Sequence, residues 1–373
     1  MLGPKCVHPG RNRCKISGML PVRPGNIPLH PSARTPFRSG PTPKEAMIMN
    51  SKTCPDCSSP SKNPIARRNF LQAAASIAVL PLAARMVHGQ SARTSKAETI
   101  VGEFHASLSE QQRADICRPF SDALRSKVNA NWHVTKPLIG SDFFTAPQRE
   151  MIEKIVRGLT SEEGYERLNR QMDDDDGGLG AYSVAIFGTP VAGDFQWLLT
   201  GRHLTLRADG DSVPKTAFGG GMVYGHGEES SADANIFYYQ TKKVNEVFAA
   251  LDKDQSKQAL ISAAAPKETD IRIQGEKGKF PGLAVSAMNK EQKGLVKDCL
   301  TTLLSPYRKE DGDEAMKLIE AAGGIDQLRF AFYQQEDLGK DKVWDIWRIE
   351  GPSTVVHFRG APHVHAYINI AQA

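Results

Sequence analysis

The chain has 373 residues and a formal net charge of +5, but that charge is unevenly distributed. Residues 1–89 contain 13 Lys and Arg against 2 acidic residues, so the remainder of the chain carries a net charge of −6. A mildly acidic remainder removes the main argument for a nucleic-acid partner, which a basic protein would otherwise suggest.

Residues 47–89 have the features of a twin-arginine export signal. Arg67 and Arg68 stand before an alanine-rich apolar run over residues 73–84, which is too short to span a bilayer. Small residues before position 90 predict cleavage after Gly89. A buried helix behind a chance arginine pair is the alternative. The signal predicts the twin-arginine export machinery as a partner and a periplasmic location, and this route carries proteins that are already folded.

The first 46 residues are rich in Pro, Arg, Ser and Gly and lack apolar periodicity, which predicts disorder or a misplaced start codon. A start at Met47 or Met49 would give a leader of ordinary length. Four of the six cysteines, including a C-x-x-C pair, precede residue 90. The other two, Cys117 and Cys299, are expected either to pair in an oxidising compartment or to remain as buried thiols.

Four segments share one helix-start pattern, in which a good N-cap residue is followed three positions later by glutamine. They are Ser109–Gln112, Thr145–Gln148, Asp252–Gln255 and Asn289–Gln292. Apolar residues at helical spacing follow, which predicts helices over about 109–127, 145–159, 245–262 and 289–304. The glutamines are interpreted as caps rather than as a binding ladder. The two helix pairs also hint at a duplicated plan.

Two zones, 181–225 and 328–371, are rich in strand patterns and turns. The first contains a strand pattern over 195–207, followed by a hairpin-type turn at 208–211. The blocks of helices and strands predict an α+β fold with an antiparallel, strand-rich centre and C-terminus. Residues 95–373 are expected to form a single domain with flanking helix pairs. Neither a nucleotide-binding glycine loop nor a further membrane span is apparent.

Several motifs are spread over almost the whole chain beyond the leader. They are Ile186-Phe-Gly-Thr-Pro190, Trp197 with Gly201-Arg-His203-Leu-Thr-Leu206, Phe218-Gly-Gly-Gly221, Tyr224-Gly-His226, Trp347-Arg-Ile-Glu-Gly-Pro352 and His363-Val-His365. Together they resemble an uncharacterised bacterial family, domain of unknown function 3500. The chain departs from the common pattern at Arg202, where the family has a second histidine, and it lacks the Arg-Asp ending. The resemblance implies no activity, so the chemistry must come from the residues.

Five of the ten histidines lie in the strand zones or directly after one, which suggests a metal site. His363 and His365 are two residues apart, so on a strand both rings point to one face. Imidazoles at that spacing can bind Cu, Zn or Fe. His203 and His226 would complete a four-histidine site if their strands lie beside the last strand. His357 is a weaker member. The alternative is a solvated polar surface.

The remaining candidates concern ligand binding. Arg202, Trp197 and Glu350 are candidate ligand-binding residues, and Glu350 or Glu228 could support the metal ligands. Strand arginines could form a pocket for a carboxylate or phosphate. The acidic run 173–176 is interpreted as a charged surface turn, since it lacks the spacing of a calcium loop. The predicted function is therefore an exported protein with a histidine-rich metal site for redox or hydrolytic chemistry. The alternative is a non-catalytic periplasmic protein that binds a small ligand.

Overall fold

The computed structural model describes residues 96–228, 234–335, 337 and 343–373. The predicted export signal and the segment before it lie outside the described residues. Within these ranges, eight helices and one mostly antiparallel sheet of eleven strands form an α+β fold, as the sequence predicted. No helix in these ranges combines the length and apolar character that a membrane crossing requires.

The elements fall into two series with nearly the same order. The first series contains α1 (Lys96–Ser107), α2 (Glu110–Ile116), β1 (Cys117–Arg118), α3 (Ala146–Leu159), α4 (Glu162–Asp176), β2 (Ser183–Gly188), β3 (Phe195–Gly201), β4 (Leu204–Ala208) and β5 (Met222–His226). The second series contains α5 (Tyr238–Ala249), α6 (Lys253–Ala259), β6 (Leu260–Ile261), β7 (Leu283–Ala284), α7 (Lys290–Leu304), α8 (Lys309–Ala321), β8 (Arg329–Tyr333), β9 (Ile346–Gly351), β10 (Thr354–Arg359) and β11 (Val364–Ile370). Only β7 has no counterpart strand among the described residues of the first series.

The strand order shows that the fold is a duplicated unit. The strands run β1-β2-β3-β4-β5-β11-β10-β9-β8-β6 across the sheet, with β7 paired to β8. Each strand of the first series thus lies as far from the centre as its counterpart in the second. The edge pairings repeat as well, since β1 is parallel to β2 and β6 is parallel to β8. An approximate two-fold axis therefore relates the two halves.

Strand register locates this axis at the β5–β11 pair. The first residue of β4 pairs with Tyr224, and the first residue of β10 pairs with Ile370. Tyr224 and Ile370 therefore occupy equivalent positions in the two halves. Two residues earlier on β5 and β11, Met222 and Ile368 are paired with each other. The axis passes between them, and the two halves meet along a continuous antiparallel ladder at the centre of the sheet.

All four predicted helix starts form complete capping boxes. Their glutamines also join the helices in pairs. Gln112 and Gln148 exchange side-chain amide hydrogen bonds of 2.9 and 3.0 Å. Gln255 and Gln292 do the same at 3.1 and 2.7 Å. Each amide also donates to a backbone carbonyl just ahead of the partner helix. The same junction therefore occurs once in each half.

The helices cover one face of the sheet, and long loops cover the other. On β11, Val364 and Ala366 belong to the core beneath the helices. The residues that alternate with them, His365 and Tyr367, face the opposite side and are also buried. There the loop residue Ile271 belongs to the same buried cluster as Tyr367. A side chain on this second face therefore lies in the interior of the protein, not on a solvated surface.

Several elements differ from the local predictions. The pattern over 195–207 is two strands joined by a turn at Arg202 and His203, not one strand. The first capped helix ends at Ile116, because the chain then pairs with β2 as a short parallel strand. The helix predicted over 245–262 is divided between α5 and α6, since the cap at Asp252 starts a new helix.

Both cysteines in the described residues, Cys117 and Cys299, are free thiols. Cys299 is buried on α7, and Cys117 lies half-buried on β1. Burial raises the pKa of the Cys117 thiol to about 11 and raises that of Cys299 further. Neither thiol is therefore a reactive thiolate at neutral pH.

Candidate metal centre

Three histidines meet at the end of the sheet where β4 and β11 begin. His203 lies in the turn before β4, His363 directly precedes β11, and His365 is within β11. One ligand nitrogen from each ring lies within 4.8 Å of the other two. Among the described residues, these three histidines are the group of side chains that could hold a metal ion. The Nε2 atoms of His363 and His365 are 3.0 Å apart. Two ligands at a Zn–N distance of about 2.0–2.1 Å lie about 2.9–3.4 Å apart for angles between 90° and tetrahedral. The spacing therefore fits two nitrogens on one ion.

A glycine makes the approach of two of these rings possible. Strand β5 lies between β4 and β11, and its Gly225 is paired with His365. A Cβ atom on Gly225 would lie 3.3 Å from the Cβ of His203 and would overlap the carbonyl oxygen of Val364. Because no side chain separates them, the ring centroids of His203 and His365 come within 4.8 Å.

The turn that carries His203 is held firmly by backbone contacts. His203 has a φ of 55°, in the left-handed region that histidine tolerates better than most residues. Its amide donates to the carbonyl of Ala130. The carbonyl of Arg202 accepts hydrogen bonds from the Tyr182 hydroxyl at 2.7 Å and from Gln171 at 3.1 Å. These bonds fix the direction in which the His203 side chain leaves the sheet.

Carboxylates hold two of the three rings from behind. Asp175 Oδ2 lies 2.7 Å from His203 Nδ1, and its other oxygen accepts from the Gly227 amide at 2.8 Å. Glu268 Oε2 lies 2.7 Å from His365 Nδ1. A carboxylate on Nδ1 orients an imidazole and favours the tautomer that presents Nε2 to a metal. This arrangement is common around histidine-bound ions.

These carboxylates were not identified as site residues in the sequence. Asp175 belongs to the acidic run 173–176, which is the C-terminal turn of α4 and not a separate surface turn. Gly177 ends the helix in a left-handed conformation. Glu268 comes from the loop that covers the second face of the sheet. The only signal for Asp175 was the concentration of acids at a helix end, where the macrodipole disfavours negative charge.

The contacts of His365 fit two tautomers. In the first, Nδ1 donates its proton to Glu268, and Nε2 has a lone pair for a metal. In the second, Nδ1 accepts from Arg359 Nη2, also 2.7 Å away, and Nε2 donates to His363 across 3.0 Å. Arg359 forms an ion pair with Glu268 at 2.8 Å, and the Tyr367 hydroxyl donates to the same carboxylate at 3.1 Å. Metal binding would select the first tautomer.

Burial and positive neighbours keep the His363 and His365 rings neutral. The pKa of His363 is lowered to about 2, first by burial and then by the charges of His365 and His203. Burial, followed by the charge of Arg359, lowers the pKa of His365 well below its usual value. Burial would raise the pKa of Asp175, but hydrogen bonds from His203 and other donors hold it below its usual value. Neutral imidazole is the form that binds metals.

His226 lies outside this group. On β5 it alternates with Gly225, and it is paired with Val364, so its ring faces the helix side of the sheet. Its Nε2 lies 3.1 Å from Asp174 Oδ2, and its Nδ1 accepts from the Ile236 amide at 3.4 Å. The acids at the end of α4 thus contact histidines on both faces of the sheet.

The expected ligand-binding residues lie in different surroundings. Trp197 is fully buried in the core beneath the helices. Glu350 is buried on the second face and pairs with Arg348 at 3.0 Å, away from the three histidines. Glu228 is exposed just after β5. Of the three expected ligand-binding residues, Arg202 is the one beside the metal centre, because it precedes His203 in the same turn.

A family model described as "Protein of unknown function (DUF3500)" matches residues 90–369. No curated protein and no solved structure matches the chain.

Proposed function

The chain belongs to the DUF3500 family, whose description assigns no activity, and we propose that it is an exported metalloprotein. In this proposal His203, His363 and His365 bind one transition-metal ion through their Nε2 atoms. The observation that carries it is the meeting of three ligand nitrogens within 4.8 Å. Asp175 and Glu268 support it, because each contacts the Nδ1 atom of a ligand ring.

The ligand set favours hydrolytic chemistry. Three protein ligands are typical of catalytic zinc, since the remaining coordination position can hold water or substrate. Neutral imidazoles leave the full charge of the ion uncompensated, which lowers the pKa of a bound water. His363 is only half-buried, so it lies on the side from which solvent reaches the site. Occupation by copper or iron would instead make the same site suitable for redox chemistry.

The alternative, a non-catalytic protein that binds a small ligand, has less support. It would need aromatic side chains such as Trp197 and Trp347 to line a pocket beside the arginines. Both indoles are fully buried on the helix side of the sheet, and Trp347 stacks on Phe358 at 4.7 Å. Neither is placed to contact a ligand at the other face.

The proposed location is the periplasm after twin-arginine export. Support comes from Arg67 and Arg68, the short apolar run behind them and the change in net charge beyond residue 89. Folded export also suits a metal site whose ligands come from both halves of the chain.

Metal content tests the proposal directly. The wild-type protein, purified without chelator or added metal, is expected to contain about one ion per chain by inductively coupled plasma mass spectrometry. A double variant, His363→Ala with His365→Ala, removes two of three ligands and should retain almost none. His226→Ala is the matched control, because it removes a buried histidine at the same end of the sheet but outside the group.

Equal metal content in the double variant and the wild type would contradict the site. The hydrolytic assignment is checked on the same three proteins with model esters and phosphate esters. Hydrolysis should require the metal and survive in the His226→Ala control. A zinc-loaded wild type that hydrolyses none of these substrates would favour the redox alternative.

A further inference from the structure

We propose that the metal centre takes an oxyanion, a carboxylate or a phosphate, and that the Arg202 guanidinium binds it beside the ion. This inference rests on the proposed metal site and names the substrate class of that site. It follows from a comparison of four arginines that lie on neighbouring strands and turns.

Three of these arginines are occupied by contacts within the protein. Arg207 donates to the carbonyls of Gly221 and Lys127. Arg348 contacts Glu350 and His357 as well as carbonyls of the covering loop. Arg359 pairs with Glu268. Their side chains hold the loops onto the second face of the sheet, so a ligand would have to displace those contacts.

Arg202 differs from them because its side chain makes no hydrogen bond and no ion pair among the described residues. Its Nε is buried and lacks a hydrogen-bond partner there. A buried donor without a partner is unfavourable, so a ligand that supplied an acceptor would recover that loss. The backbone carbonyl of Arg202, not its side chain, makes the contacts that hold the turn. The side chain is therefore available for a function other than supporting the fold.

The guanidinium also lies beside the residues that hold His203 in place. Its Nη2 is 3.6 Å from the point where a Cβ atom on Gly227 would stand, and Gly227 donates to the carboxylate that holds His203. Its charge contributes to the lowered pKa of both His363 and His365. The charge of Arg202 also favours a lower pKa for Asp176, but burial outweighs it and raises that pKa. No ion pair joins Arg202 and Asp176 among the described residues.

The chemistry of the two groups specifies the ligand. A guanidinium presents donors in a planar fork that matches the paired oxygens of a carboxylate or phosphate. An ion held by three neutral imidazoles keeps a positive charge and a position for oxygen. One oxygen of the anion can therefore bind the metal while another accepts from Arg202. A neutral ligand would leave the guanidinium unmatched.

The test uses cobalt(II)-loaded protein, because its visible spectrum responds to a new ligand on the metal. Inorganic phosphate and acetate are titrated separately into the wild type, Arg202→Gln and Arg202→Lys. Both anions are candidates, and the tighter one identifies whether phosphate or carboxylate is preferred. We expect saturable spectral changes in the wild type. In Arg202→Gln the affinity for the anion should fall about ten- to hundredfold, which is the usual effect of losing hydrogen bonds to a charged group. The cobalt content should not change.

Arg202→Lys should be intermediate, since it keeps the charge but loses the fork. Arg157→Gln is the control for net charge, because Arg157 lies exposed on α3, where it pairs with Glu153 of the same helix and lies over the Tyr165 ring. A wild type that binds no cobalt would refute the metal site itself. If cobalt binds, the oxyanion inference fails in any of three cases: neither anion perturbs the wild type, Arg202→Gln binds anions as tightly as the wild type, or Arg202→Gln loses its cobalt.

Discussion

His357 shows how one residue type takes different roles on the same sheet. It lies on β10, fully buried, and accepts a hydrogen bond of 2.9 Å from Arg348. Burial, with the charge of Arg348, lowers its pKa to about 3. His357 therefore serves as a neutral acceptor for a buried arginine, whereas His365 on the next strand faces two other imidazoles. Environment, and not residue type, separates the structural histidine from the proposed ligands.

The lowered pKa of His357 predicts a pH dependence of stability. Between its ordinary value of 6.5 and about 3, the unfolded chain binds a proton at this histidine that the folded protein excludes. Acidification over this range therefore lowers the free energy of unfolding by up to about 1.4 kcal/mol per pH unit. His357→Gln keeps an acceptor for Arg348 but does not titrate. Urea unfolding of both proteins at pH 7, 6, 5 and 4 should give a shallower slope for the variant. Parallel slopes would contradict the role assigned to His357.

At the scale of elements, the glutamine junctions connect the helices at their first turns. Gln148 caps α3 and is also bonded to Gln112 and to the carbonyl of Ser107. Local spacing predicted the caps correctly, because a capping box involves residues three apart. The cross-links between boxes were not predictable, since residues 36 positions apart in sequence meet only when the helices pack.

Gln148→Ala should be markedly destabilising. It removes half of the capping box and leaves the buried amide of Gln112 without one partner, a combined loss of about 1–3 kcal/mol. Gln111→Ala is the matched control, because that glutamine is exposed on α2 and its side chain bonds Asp115 one turn away. Its effect should stay within about 0.5 kcal/mol. Chemical denaturation measures both, and equal effects would show that the junction contributes little.

At the scale of the whole molecule, the three-histidine group occupies one of two positions related by the duplication. The turn that carries His203 corresponds to the turn between β9 and β10, where Ser353 occupies the equivalent position. His203 comes from the first half, while His363 and His365 belong to the second. The site therefore forms only after both halves have folded against each other across β5 and β11.

This assembly connects the proposed metal site with the proposed export signal. A route that carries folded proteins would allow the metal to be bound before export. Replacing Arg67 and Arg68 with lysine should leave the protein in the cytoplasm, with its metal content unchanged. Cell fractionation with immunoblotting, followed by metal analysis of each fraction, checks this outcome. Periplasmic accumulation of the double-lysine variant would contradict twin-arginine export.

Interactions between near neighbours in sequence determined much of this protein. The α+β class, the four caps and the second strand zone followed from side-chain spacing, because caps and strand alternation depend on residues two to four apart. The family motifs marked His203, His226, His363 and His365, but sequence could not decide which of them meet. Only the tertiary structure, through the pairing of β5 with β11, places His226 on one face of the sheet and His365 on the other. It alone also brings Asp175 and Glu268 to the rings, since each comes from a segment distant in sequence.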